Sequence, residues 1–165
     1  MADVGLFSRG GLPDGHTAPP GEKVLAWAQG RGGIVIATDK ALHLPETATV
    51  SGRIAWHLVD RAAWRDPNLE LALHATVGAP LQSFRVELTE PGKLPQVVRE
   101  RVTGSVVTSI DVDLPGGAAR IAARRTETND IRWSVTPLDG ADLSDAASRE
   151  AATAVIAQLR DSLGL

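Results

Sequence analysis

Residues 106–114, Val-Val-Thr-Ser-Ile-Asp-Val-Asp-Leu, set Val106, Thr108, Ile110, Val112 and Leu114 at alternate positions, with Ser109, Asp111 and Asp113 between them. A period of two sends successive side chains to opposite faces of an extended backbone, so the segment reads as a strand with one dry and one wet face. The period recurs in Phe84, Val86 and Leu88 against Arg85 and Glu87, in Leu69, Leu71 and Leu73, and in Ile131, Trp133 and Val135. Short alternating runs separated by Gly, Pro and Asp turns are what antiparallel sheets require.

The first strands follow the same logic. Residues 22–28 and 33–37 are apolar runs on either side of the Gly30–Gly33 turn, and Thr38-Asp39-Lys40 leads to a short third strand at 41–44. Pro45 lacks the N–H a central ladder needs and ends it. Arg53–Val59 reads as one strand with Ile54, Trp56 and Leu58 on a single face, while 60–64 breaks the alternation and signals a bulge or bend. Residues 119–124 complete a three-strand meander with 106–114 and 131–135.

The period changes twice. Leu94, Val98 and Val102 fall four apart and Pro95 suits a first helical turn, which predicts a short helix over 95–103. Leu143, Ala147, Ala151, Val155 and Leu159 repeat the spacing over 143–163, with Asp142 or Ser144 placed to cap. An amphipathic helix of that length needs a surface to cover. The expected architecture is therefore mainly β: a curved antiparallel sheet or small barrel, closed by the C-terminal helix, with an additional short helix near 95–103.

A chain of 165 residues suits one domain, here 22–165, preceded by a Pro/Gly-rich arm over 1–21 in which Leu6, Phe7 and Leu12 are the main apolar side chains. No cysteine is present, which removes disulfides, thiolate nucleophiles and Cys-ligated metals. No run approaches the roughly 20 apolar residues that span a bilayer, and a formal charge of -3 gives no general attraction to nucleic acid. The expected location is cytoplasmic, with peripheral contact at the inner membrane allowed.

The four histidines, His16, His43, His57 and His74, form no His-x-His or His-Glu-x-x-His pattern, and no Gly-x-Ser-x-Gly elbow or phosphate-binding Gly-x-x-x-x-Gly-Lys-Ser/Thr loop occurs. No catalytic, metal or cofactor residue is assigned, and no cofactor is expected. Asp111 and Asp113 share a strand face and read as a solubilising surface. Arg120, Arg124, Arg125 and Arg132 form the strongest basic group, placed to contact an anion or an acidic partner. Trp56 and Trp133 fall on core faces, whereas Trp27 and Trp64 are placed to line a groove.

The hairpin Gly33-Ile34-Val35-Ile36-Ala37-Thr38-Asp39-Lys40-Ala41-Leu42 resembles the Gly-x-Leu-x-Leu-Thr-Asn/Asp-x-Arg-Leu segment of bacterial pleckstrin-homology-like and GRAM-like domains. Residues 54–59 and 69–73 resemble the strands that follow, so the likeness covers about 22–89, and the whole looks like actinobacterial proteins of this class. Ala41 stands where the pattern often has a basic residue, and the helix at 95–103 with its three following strands exceeds a minimal seven-stranded domain. The resemblance implies a noncatalytic module that binds a protein or peptide. Its alternatives are an anionic-lipid or phosphoinositide module, and a small-molecule-binding protein or enzyme with a pocket in the sheet. An uncovered strand edge also allows a homodimer.

Overall fold

The computed structural model describes residues 11–45, 52–74 and 81–165. Leu6 and Phe7 of the arm lie outside them, as do residues 78–80, whose Gly and Pro predict a turn between the alternating runs at 69–75 and 84–88. The strands are β1 (Val24–Gly30), β2 (Gly33–Thr38), β3 (Ala41–His43), β4 (Arg53–Ala55), β5 (Val59–Arg65), β6 (Asn68–Leu73), β7 (Gln82–Glu90), β8 (Val106–Leu114), β9 (Gly117–Arg125) and β10 (Ile131–Pro137). Helix α1 spans Leu94–Gly104 and helix α2 spans Ala146–Leu163.

These strands make two antiparallel sheets. A seven-stranded sheet runs β4-β3-β2-β1-β7-β6-β5, and a separate three-stranded sheet runs β10-β9-β8. The fold is thus a mixed α and β arrangement of two sheets and two helices. The expectation of a single curved sheet or β-barrel is corrected here: β4 and β5 are the two outer strands of the large sheet, and no ladder joins them. They are consecutive in the chain through one 3-10 turn, Trp56–Leu58, which interrupts the single strand expected over Arg53–Val59. Within β5 the register slips between Val59 and Arg61, which accounts for the broken alternation at 60–64.

The C-terminal helix does not cap the large sheet, which is the second correction. Two apolar cores form instead. Helix α1 buries Leu94, Val98 and Val102 with Val35, Leu42, Val59, Leu69, Leu71 and Leu88 of the large sheet. Helix α2 sets Ala152, Val155, Ile156 and Leu159 against Ala119, Ile121 and Val135 of the small sheet. The reason lies in chain order. The three-strand meander immediately before α2 presents a dry face of its own, and an amphipathic helix covers the apolar surface nearest to it in the chain.

Capping follows local chemistry. Asp145, not Asp142 or Ser144, is the N-cap of α2, and its side chain accepts from the Ser148 N–H at 2.9 Å. Leu143, expected inside the helix, lies before it and is buried in the small-sheet core. The Ser148 hydroxyl accepts from the Gly116 N–H at 2.8 Å, tying the β8–β9 turn to the helix start. Gly116 is required there, because a Cβ at that position would stand 2.0 Å from the Asp142 carbonyl oxygen.

Candidate functional site

The turn at Thr38–Lys40 is built by Thr38, whose fully buried hydroxyl accepts from the N–H groups of Lys40 at 3.1 Å and Ala41 at 3.0 Å. That hydroxyl donates to the Glu22 carboxylate. Asp39 accepts from the Lys23 N–H at 2.7 Å, and the Trp56 indole donates to the Thr38 carbonyl at 2.9 Å. The β2–β3 turn of the large sheet is thereby locked to the 3-10 turn at Trp56–Leu58.

Glu22 is the hub of this corner. His43 Nε2 lies 2.9 Å from one carboxylate oxygen and Arg53 Nε 3.2 Å from the other. Burial pushes the Glu22 pKa up, but hydrogen bonds from Thr38, His43 and Arg53 outweigh it and hold the carboxyl at about 2. Arg53 also reaches Glu127 at 3.1 Å, which carries the network from the large sheet to the β9–β10 turn.

Beneath this corner a second polar group crosses between the sheets. Arg124 of β9, 5% exposed, donates from Nη1 to the Val102 carbonyl at 3.1 Å and to Ser105 Oγ at 2.9 Å. Its Nη2 donates to the Asp60 carbonyl at 3.0 Å and lies 4.0 Å from the Asp60 carboxylate. His74 Nε2 stands 3.3 Å from the same carboxylate, and its Nδ1 is 3.5 Å from the Thr136 hydroxyl. Burial raises the Asp60 pKa, yet the hydrogen bond and charge of His74 and the charge of Arg124 bring it below the ordinary carboxylate value. His57 is pushed down, chiefly by burial and then by Arg132.

Where these two networks meet the surface, a cleft of about 340 Å³ opens between the sheets. One side is the Asp39–Lys40 turn with Trp56 and His57; the other is the end of α1, with Glu100, Arg101 and Ser105, and the β9–β10 turn, with Arg125 and Glu127. Acidic and basic side chains are interspersed around it. Residues of its walls are held from behind, Lys40 by the Thr38 hydroxyl, Ser105 by Arg124 and Glu127 by Arg53.

The four arginines singled out by sequence do not form one site. Arg120 makes a two-point pair with Asp111, at 2.8 and 3.2 Å, on the face of β8 and β9. That guanidinium lowers the Asp111 pKa. Arg124 is buried on protein oxygens, and Arg125 is bonded to Asn129 at 3.1 Å at the rim of the cleft. Arg132 is exposed and is the register partner of Arg124 across β9 and β10.

Trp56 is buried in the large core and Trp133 packs on the small one. Trp64 also packs against the large core, while the half-buried Trp27 donates its indole N–H to the Gly11 carbonyl, fastening the arm to β1. Glu22, Arg53, Asp60 and Ser105 have no local motif. For Asp60 the break in alternation was a signal, since a bulged strand re-aims the side chain it displaces.

Among the described residues no cluster of His, Asp and Glu is placed to hold a metal ion, and no helix is long and apolar enough to cross a membrane. No family model matches the chain, and comparisons with curated proteins and with solved structures find no match. The link drawn from sequence to actinobacterial proteins therefore has no support in a relative.

Proposed function

We propose that the chain is a noncatalytic protein- or peptide-binding module whose contact surface is the cleft between the two sheets, working in the cytoplasm. The observation that carries this reading is the construction of the cleft. Four separate segments converge on it, the β2–β3 turn, the 3-10 turn, the end of α1 and the β9–β10 turn, with Asp39, Glu100 and Glu127 interspersed among Lys40, Arg101 and Arg125. Mixed charge over a preformed surface favours a polar peptide of matched pattern, because complementary placement selects partners by penalising like-charge contacts. The likeness of residues 33–42 to pleckstrin-homology-like and GRAM-like hairpins points the same way, as that class includes peptide and protein binders. A polyanionic lipid surface is less well served, because Arg120 and Arg124 are engaged by Asp111 and by internal oxygens.

Selection from a phage-displayed peptide library tests the reading. Enriched peptides should bind the parent chain, lose at least about tenfold in affinity with Lys40→Glu/Arg101→Glu, and retain it with Arg160→Gln, exposed near the end of α2. Absence of any enriched sequence, or binding indifferent to the cleft substitutions, would overturn it.

A further inference from the structure

The outward face of β5, β6 and β7 carries chemistry that the cleft does not use. Ala62, Trp64, Leu69, Leu71, Val86 and Leu88 turn inward to the large core. On the other side a groove of about 520 Å³ is walled by Arg61, Arg65 and Arg85 around a single acid, Glu70. Register explains the arrangement. Ala63, Glu70 and Arg85 stand opposite one another across the three strands, and Arg61, Ala72 and Ser83 form the neighbouring row.

We propose that this face docks an acidic peptide segment laid along β5. Glu70 already shows the mode of recognition: its carboxylate lies 3.2 Å from Arg65 and 3.7 Å from Arg85, taken between two guanidinium groups. One acid among three arginines leaves the groove positive. Arg61 is exposed, and no hydrogen bond or ion pair engages it among the described residues. Glu87, the next outward residue of β7, does not balance it, being paired with Arg31 at 3.6 Å.

Spacing selects a chain over a single anion. Arg61 and Arg65 are four residues apart on one strand, about 13 Å, which is too far for both to reach one phosphate but matches carboxylates spaced along an extended peptide. On β5 itself Ala63 is the groove residue between them, so no large side chain of that strand separates the two guanidinium groups. The surface shares no residue with the cleft, and the proposal stands or falls apart from it.

Fluorescence anisotropy with a labelled oligo-glutamate peptide at low ionic strength tests the assignment on the full chain. The parent should bind, added salt should weaken binding, and Arg61→Gln/Arg65→Gln/Arg85→Gln should lose at least about tenfold, with Arg160→Gln, exposed near the end of α2, unaffected. Circular dichroism establishes that the triple variant is folded. Should it not be, Arg61→Glu alone, at an exposed and unbonded position, must produce a loss of about threefold or more. No binding by the parent, equal binding by the variants, or binding to phosphatidylserine-containing vesicles in place of the peptide would overturn the proposal.

Discussion

Arg124 of the small sheet donates to the backbone carbonyl of Asp60 in the large sheet at 3.0 Å, and the same guanidinium holds the end of α1 through the Val102 carbonyl and Ser105. The two apolar cores remain distinct, and this buried, polar contact joins the sheets together with the Arg53–Glu127 and His74–Thr136 contacts.

Arg124→Met should therefore destabilise the chain by about 3 kcal/mol, since it leaves the buried Asp60 carboxylate and the Val102 carbonyl without their cation. Urea unfolding followed by tryptophan fluorescence gives the number. A change below about 0.5 kcal/mol would show that the sheets are held together by something else.

Glu22 makes stability fall in acid. Its carboxyl is held at about 2 against an ordinary 4.5, so the stabilisation it contributes is fully present above about pH 4.5 and is lost as pH falls through 2. Asp60, also depressed, adds loss of the same sign. Thermal melts from pH 6 to 2 should show a steep fall for the parent. Glu22→Gln should be less stable at pH 6, where His43 and Arg53 lose their carboxylate, and should show a shallower fall below pH 4.5.

Helix α1 should matter more to the large sheet than its length suggests. Leu94 is fully buried, and Leu94→Ala should cost about 2–5 kcal/mol, whereas Leu163→Ala, 47% exposed near the end of α2, should cost less than about 0.5 kcal/mol. Chemical unfolding of the two variants provides the comparison; the reverse order would restore α2 as the principal cover.

At the start of α2, Asp145→Ala removes the acceptor for the Ser148 N–H and should cost about 1 kcal/mol. Gly116→Ala should cost more, because its Cβ would meet the Asp142 carbonyl oxygen at 2.0 Å and force the β8–β9 turn off the helix. Hydrogen exchange should show faster exchange of the 142–150 amides in both variants and little change in α1.

Periodicity in the sequence was enough to locate most strands and both helices. Alternation in 106–114, 84–88 and 131–135 and the four-residue spacing in 94–102 and 147–159 arise from local backbone geometry, which a pattern of apolar residues reports directly. Residues 53–65 were harder. Ile54, Trp56 and Leu58 alternate well, but a 3-10 turn interrupts the run because the chain must pass from one outer strand to the other. The basic residues near 120–132 form a visible group in the sequence, but their directions do not show there: register pairs Arg120 with Asp111, internal oxygens take both Nη groups of Arg124, and Arg61, Arg65 and Arg85 share a face only because β6 lies between β5 and β7.

By itself, then, the sequence determined most of the elements, the absence of thiol chemistry and the need of each amphipathic helix for a dry partner. Which sheet each helix covers, where Asp60 and Arg124 meet, and how Asp39, Arg101 and Glu127 come to ring one cleft were decided only by the tertiary structure. The physical reason is that periodicity records which side of an element is apolar, a property of neighbours a few residues apart. The pairing of faces and of charges far apart in the chain depends on the competition among all surfaces for burial and for hydrogen-bond partners.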